Sequence, residues 1–310
     1  MEKEPHPRLR HQQKGVYPKN RMSSLEEFKK ELQNSIYYNS ILYSDALLER
    51  FLRARSFNIP KAVQMFENAQ AWRLEVGVDK IVKDFVFNER EQVAKIWPRF
   101  FHGIDRQGRP VIWNVHSKLD ANELYSVTND ERMIFNFIRE QEKLQNIRFS
   151  ACSDLCRTEI DQVVLILDCK GYPYHQFHRI ARVVHRITRI SSDYYPESLG
   201  RIFIINAPLM FPTVWAVASK FFDEGTRSKI SIFGSDYSSA LTELIDPNNV
   251  PASYGGACYC LDGCEKSDKG PWNDKKWLKS HQVSSLYDFY SRDTMPSSNA
   301  TLPAIQESDE

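Results

Sequence analysis

Apolar positions change their period along this chain. Between residues 23 and 82 they recur at three- and four-residue steps, the spacing of a buried helical stripe. Ser23 or Ser24 is placed to cap a helix running to Leu32, and Asp45 to Arg55 sets Leu47, Leu48, Phe51 and Leu52 on one stripe. Asn58 and Pro60 then open a helix with Ala62, Phe66, Ala69, Trp72 and Val76 on its buried face, and Gly77 suits its end. The pattern predicts a small all-helical lobe over 23–82. From about residue 88 strands alternate with helices. Segments 99–103 and 109–115 flank the turn Asp105-Arg106-Gln107-Gly108, a hairpin signal, and a long helix is predicted over 129–147. Val163 to Leu167 is wholly apolar and of strand length, as expected of a strand buried on both faces in a parallel sheet. A helix over 177–190, a strand over 201–206, a helix near 213–222, a short strand over 230–233 and a helix near 237–245 complete an α/β domain with crossover connections, placed at 88–262. A C-terminal extension is assigned to 263–290. Residues 1–22 and 291–310 have no apolar period and read as flexible tails.

Composition adds bounds. The chain has 310 residues, 42% of them hydrophobic, enough for a sizeable core. A formal charge of +1 implies no bulk attraction to nucleic acid or membrane, so an anionic partner must meet a local patch. The polar start and the lack of any apolar run near the roughly 20 residues that span a bilayer predict a cytosolic protein. Its six cysteines are then reduced, and the sequon at Asn299 carries no sugar. Cys258, Cys260 and Cys264 lie close together, but their spacing matches no common zinc pattern and no histidine is near them in sequence, so free thiols and no metal are expected. No nucleophile elbow, phosphate-binding glycine loop or metalloprotease helix is present, which predicts a protein that is not an enzyme and has no cofactor.

Several charges sit where a plain core would not place them. Tyr194-Tyr195-Pro196-Glu197 and Thr226-Arg227-Ser228-Lys229 flank an apolar strand, and Arg55 ends a helix whose other stripe is apolar. Arg, Lys, Thr and Glu are the set a phosphorylated polyol needs: cations for phosphate, acceptors and hydroxyls for the ring. Ordinary surface charge or a structural salt bridge fits the same residues.

Several short strings, in order, carry a resemblance: Phe51-Leu-Arg-Ala-Arg55, Met65-Phe-Glu-Asn68, Trp72-Arg73, Asp105-Arg-Gln-Gly-Arg-Pro110, Ala151-Cys-Ser153, Leu167-Asp-Cys-Lys-Gly171, Tyr194-Tyr-Pro-Glu197, Phe203-Ile-Ile-Asn-Ala-Pro208, Tyr254-Gly-Gly256 and Gly270-Pro-Trp272. From about residue 43 to 274 the chain resembles the CRAL-TRIO lipid-transfer family, in its branch of secretory-pathway phosphatidylinositol transfer proteins. The resemblance implies a mixed, mostly parallel sheet with helices around an apolar cavity, preceded by the helical lobe. It implies a phosphatidylinositol headgroup held by Arg55, Glu197, Thr226 and Lys229. It also implies a gate helix bearing Trp215, Val217, Phe221 and Phe222, whose aromatic tips suit a membrane interface. A monomer that meets membranes transiently at Golgi or endosomal surfaces and supplies lipid kinases is the implied setting.

The departures from the family pattern are informative. Members that exchange phosphatidylinositol for phosphatidylcholine hold the choline lipid with hydroxyls; here those strand positions are Val163 and Leu165, and the hairpin positions are Trp97, Arg99, Phe101 and Ile112. Trp97, Phe101, Ile112, Val163, Leu165 and Phe203 are the predicted cavity wall, suited to a sterol or to acyl chains. Arg179, Arg182, Arg186 and Arg189 share one face of the helix over 177–190, which reads either as a contact for anionic lipid or as a solvated face.

Overall fold

The computed structural model describes residues 20–280 apart from 173, 209–210, 212–214, 217–218 and 222–223. Helices α1 (Arg21–Leu32), α2 (Asp45–Ala54) and α3 (Ile59–Val76) form the N-terminal lobe around Phe28, Leu48, Phe51, Leu52 and Phe66. Ser44 and Asn58 cap α2 and α3 by accepting from Leu47 N and Lys61 N, and Gly77 ends α3 at φ 67°. Helix α1 begins earlier than Ser23, and Arg21 holds the Glu49 carboxylate at 2.7 and 2.5 Å.

Helices α4 (Val78–Asp84) and α5 (Arg90–Ile96) lead into the hairpin β1 (Arg99–Ile104) and β2 (Pro110–Val115). Then come α6 (Ala121–Val127), α7 (Asp130–Lys143), α8 (Phe149–Cys156), β3 (Val163–Asp168), α9 (Phe177–Tyr194), β4 (Leu199–Ile205), α10 (Glu224–Ser228), β5 (Ile230–Ile232), α11 (Ser238–Leu244) and α12 (Lys275–Ser280). The five strands lie in sequence order; β1 and β2 are antiparallel and β2 to β5 run parallel, as the alternation of strands and helices predicts.

Several of the motif strings build the frame. In the hairpin turn Asp105 accepts from Gln107 N and Arg109 N through Oδ1 and from the Arg109 guanidinium through Oδ2, which closes the turn. At the far end of the sheet Asp168 joins three strings, accepting from Lys170 N at 3.0 Å, Asn206 Nδ2 at 2.7 Å and the Tyr254 hydroxyl at 3.0 Å. Trp72 stacks on Tyr194 with centroids 4.1 Å apart, and Arg73 and the Tyr195 hydroxyl both donate to Glu142. The Tyr-Tyr-Pro-Glu and Trp-Arg strings thus dock the lobe on α7 and α9, and the end of α9 delivers Glu197.

Residues 144–148, between α7 and α8, form a π-helical turn inside one continuous helical run, which continues to Cys156, past the predicted end at 147. The turn carries the buried Arg148, whose guanidinium lies 3.8 Å from the Phe101 ring centroid and pairs with Glu140 and Asp268. The extension closes on the same point. Trp272 is fully buried, donates to Asp268 O at 2.8 Å and meets Phe101 edge-on at 6.1 Å. Gly270 precedes it because a Cβ there would sit 2.3 Å from the folded-back indole.

The two faces of the sheet differ. On one, Trp113, Val164, Ile166, Phe203, Ile205 and Phe233 pack tightly against α11. On the other, Ile112, Val163, Leu165, Ile202 and Ile204 look onto a cavity. Phe203 is therefore a correction to the predicted cavity wall. It is fully buried on the opposite face, 5.2 Å from Phe233, because parallel register pairs Leu165 with Ile202 and Ile166 with Phe203.

Candidate functional site

The cavity has a volume of about 530 Å³ and lies between that sheet face and helices α7 and α9. From the strands come Trp97 at the mouth of β1, Phe101, Ile112, Val163 and Leu165; Ile180, Val184 and Ile187 come from the apolar stripe of α9. Trp215 also lines it and stacks on Phe211 with centroids 6.2 Å apart. Of the other predicted gate residues, Val217 and Phe222 lie outside the described residues, as does the side chain of Phe221.

Arg55, Glu197, Thr226 and Lys229 all line this one cavity, though they come from three distant segments. Arg55 follows the last turn of α2, with Nη1 donating to Ala54 O at 3.0 Å, and the backbone turns left-handed just after it, at Ser56 and Phe57. Glu197 is itself left-handed at φ 53°, a conformation that costs a non-glycine residue of the order of 1 kcal/mol or more. Lys229 leaves α10 with its amide donating to Thr226 O at 3.1 Å, and its carbonyl accepts from Ile202 N of β4 at 3.0 Å. Its Nζ reaches Glu197 Oε2 at 2.9 Å, and both side chains remain partly exposed, at 21% and 27%. Asp193 lies beside this group; burial raises its pKa, and Arg189 and Arg55 pull in the opposite direction.

The deeper wall is more polar than Val163 and Leu165 alone suggest. Arg99, Asn114, His116, Asn136 and Glu140 also line the cavity. The Arg99 guanidinium sits 5.4 Å from the Phe137 ring centroid, forms no salt bridge among the described residues, and has its pKa lowered by burial. Burial also holds His116 neutral, with a pKa of about 4, against an opposing pull from Asp168. Asn136 Oδ1 and His116 Nε2 are buried with no hydrogen-bond partner among the described residues. Glu140 behaves oppositely: burial would raise its pKa, but Arg148, Arg90, Lys143 and Arg139 outweigh it and hold the carboxyl near 2. The sequence pattern had named Arg99 but not the rest, since α7 and the end of β2 enter the cavity only through the tertiary fold.

Three of the four arginines named on α9 have partners within the protein. Arg182 pairs with Asp130 at 2.8 Å, Arg179 donates to Asn122, and Arg189 faces Asp193 at 3.8 Å. No helix among the described residues is long and apolar enough to cross a membrane.

Comparison with known proteins agrees with this fold. Residues 95–256 match the CRAL/TRIO domain and residues 24–68 the CRAL/TRIO N-terminal domain. The Sec14 cytosolic factor of Schizosaccharomyces pombe is 40% identical over 259 residues, 84% of this chain and 90% of that protein. The phosphatidylinositol/phosphatidylcholine transfer protein SFH7 of Arabidopsis thaliana is 43% identical over 236 residues, 75% of this chain but only 43% of that longer protein. The crystal structure of Sfh5 superposes with a TM-score of 0.63 over 86% of this chain and 98% of its own, at 19% identity, a likeness of fold. The cavity-bearing mixed sheet, the helical lobe and these matches together place the chain in the CRAL/TRIO family.

Proposed function

We propose that this protein binds phosphatidylinositol in its cavity and transfers it between membranes without catalysis. The observation that carries the reading is the convergence of Arg55, Glu197, Thr226 and Lys229 on the wall of one largely apolar cavity. Arg55 and Lys229 supply charge for a phosphate, and Glu197 and Thr226 supply hydrogen-bonding oxygens for inositol hydroxyls. Acyl chains lie against Ile112, Leu165, Val184 and Ile187, where each buried methylene contributes roughly 0.8 kcal/mol, enough to carry a lipid through water. Relatives named as phosphatidylinositol/phosphatidylcholine transfer proteins support the reading. On it the protein works as a monomer in the cytoplasm. It touches Golgi or endosomal membranes transiently and presents lipid to kinases.

The second ligand is the open part of the site. Val163 and Leu165 offer no hydroxyl, so the usual choline-lipid arrangement is not rebuilt there. Arg99, standing in the same cavity without a salt bridge among the described residues, favours a second ligand that carries a phosphate over a sterol. Mass spectrometry of lipids that co-purify with the protein from a eukaryotic host, paired with a vesicle-to-vesicle transfer assay, tests both statements. Phosphatidylinositol among the bound lipids, and its transfer, are expected. Sterol without any phospholipid would overturn the reading.

A further inference from the structure

The fold brings together four soft ligands that are scattered in the sequence. One ring nitrogen of His102 and the Sγ atoms of Cys258, Cys260 and Cys264 all lie within 4.8 Å of one another. The histidine comes from β1, whereas the cysteines come from the segment entering the extension. We propose that these four residues hold a tetrahedral Zn²⁺ ion that fastens the extension to the sheet.

The geometry suits that ion. Four ligands around zinc, with metal–sulfur bonds of about 2.3 Å, place neighbouring sulfurs about 3.8 Å apart. Cys258 Sγ and Cys260 Sγ are 3.8 Å apart, far beyond the roughly 2.05 Å of a disulfide. His102 is fully buried. It stands where the β1–β2 register slips between Phe101 and Ile104, with Gly103 at φ 74°; such a bulge re-aims a side chain out of the strand's regular alternation. Gly103 cannot be replaced freely, since a Cβ would lie 2.7 Å from the Asn249 side chain.

The surroundings complete the set. His102 Nδ1 lies 2.9 Å from Ser267 Oγ, and that hydroxyl donates to Cys264 O at 3.0 Å. The other ring nitrogen, Nε2, is buried with no hydrogen-bond partner among the described residues. One nitrogen for a metal and the other for an orienting group is the usual division in metal-bound histidine. Three thiolates, a neutral imidazole and Zn²⁺ sum to one negative charge. Lys269 Nζ, 3.2 Å from Cys258 Sγ and also donating to Asn248 O at 2.8 Å, offsets it.

Four protein ligands fill the coordination shell, so the ion is structural and leaves no position for substrate. Its consequence reaches the cavity. Gly103 N donates to Lys269 O at 2.7 Å beside the cluster, and a few residues on, Trp272 supports Phe101, a cavity-wall residue. The ion would thus anchor the segment that backs the cavity.

The test is metal analysis of the full chain, purified reduced and without chelator, together with titration of the metal-free protein with Co²⁺. Stoichiometric zinc is expected, and Co²⁺ should give the intense visible absorption of a tetrahedral thiolate site. Cys264→Ser and His102→Gln should each abolish both signals, Ser267→Ala should weaken metal affinity about 10-fold, and Cys156→Ser should leave both unchanged. Because a ligand variant could misfold, the cobalt titration of the unaltered chain decides by itself. Folded, reduced protein that contains no zinc and gives no cobalt–thiolate band overturns the proposal. Retention of the metal by folded Cys264→Ser and His102→Gln also overturns it.

Discussion

Replacing Lys229 separates a lipid site from a salt bridge. In the structure Lys229 Nζ donates to Glu197 Oε2 at 2.9 Å, and both side chains are about a quarter exposed. A partly exposed ion pair of this kind contributes up to about 1 kcal/mol to folding. Lys229→Ala should therefore lower stability by no more than roughly 1 kcal/mol, a shift of a few degrees in melting temperature for a domain of this size. A hydrogen bond from an ammonium to a lipid phosphate is stronger, about 1.5–3 kcal/mol, so phosphatidylinositol affinity should fall roughly 10- to 150-fold. The charge-reversed pair, Lys229→Glu with Glu197→Lys, distinguishes the two roles. It keeps an ion pair of the same length across the same gap but offers the phosphate and ring the wrong groups at each position. Transfer of radiolabelled phosphatidylinositol between vesicles is the readout, with thermal melting as the folding control. If Lys229→Ala transfers normally, or if the reversed pair restores transfer, the cavity-mouth charges are structural and the headgroup assignment is wrong.

Three further outcomes follow from the same structure. Trp272→Ala empties a fully buried site against Phe101 and should cost about 3–5 kcal/mol, lowering the melting temperature by on the order of 10 °C; an unchanged melt would show that the extension does not support the domain. Glu140, held near 2 in the fold against an ordinary 4.5, contributes stability that is fully present above about pH 4.5 and is lost as pH falls through about 2. That contribution is on the order of 3 kcal/mol, so Glu140→Gln should be less stable at neutral pH and should lose less on acidification, as followed by denaturant melts from pH 7 down to 2. Val163→Ser combined with Leu165→Thr puts two hydroxyls on the cavity face of β3 and should raise phosphatidylcholine transfer relative to phosphatidylinositol; no change in that ratio would remove these positions from cargo choice.

The pattern of apolar positions was a good guide wherever one element decides its own structure. The cap at Asn58, the hairpin around Asp105, the β3 core strand and the amphipathic α9 depend on neighbours in sequence, and each forms near its predicted place, whereas α1 starts at Arg21 rather than behind a cap at Ser23 or Ser24. What stayed hidden depends on partners far along the chain. Phe203 looked like a wall residue because β4 is apolar on both faces, and only its register with β3 assigns the face. The π-helical turn at 144–148 carries Arg148 to Phe101 and Asp268, partners that lie far from it in sequence. His102 joins the cysteines from a bulge in β1, far from them in sequence, so their local spacing gives no sign of it. The string Glu197 to Lys229 was visible as misplaced charge, but its convergence with Arg55 needed the lobe docked through Trp72 and Tyr194.

The unequal faces of the sheet divide responsibility within the molecule. The face of Trp113, Val164, Phe203 and Phe233 is dry and close-packed, while the face of Ile112, Val163, Leu165 and Ile202 borders open space. Ile112, Val163 and Ile202 are nonetheless buried, packed among core neighbours on one side and bordering the cavity on the other. A larger side chain there can grow into the open volume, whereas a smaller one gives up contacts with its core neighbours. Enlarging a wall residue thus reshapes the cavity while keeping the contacts that hold the domain, so cargo preference and stability can be altered separately in that one direction.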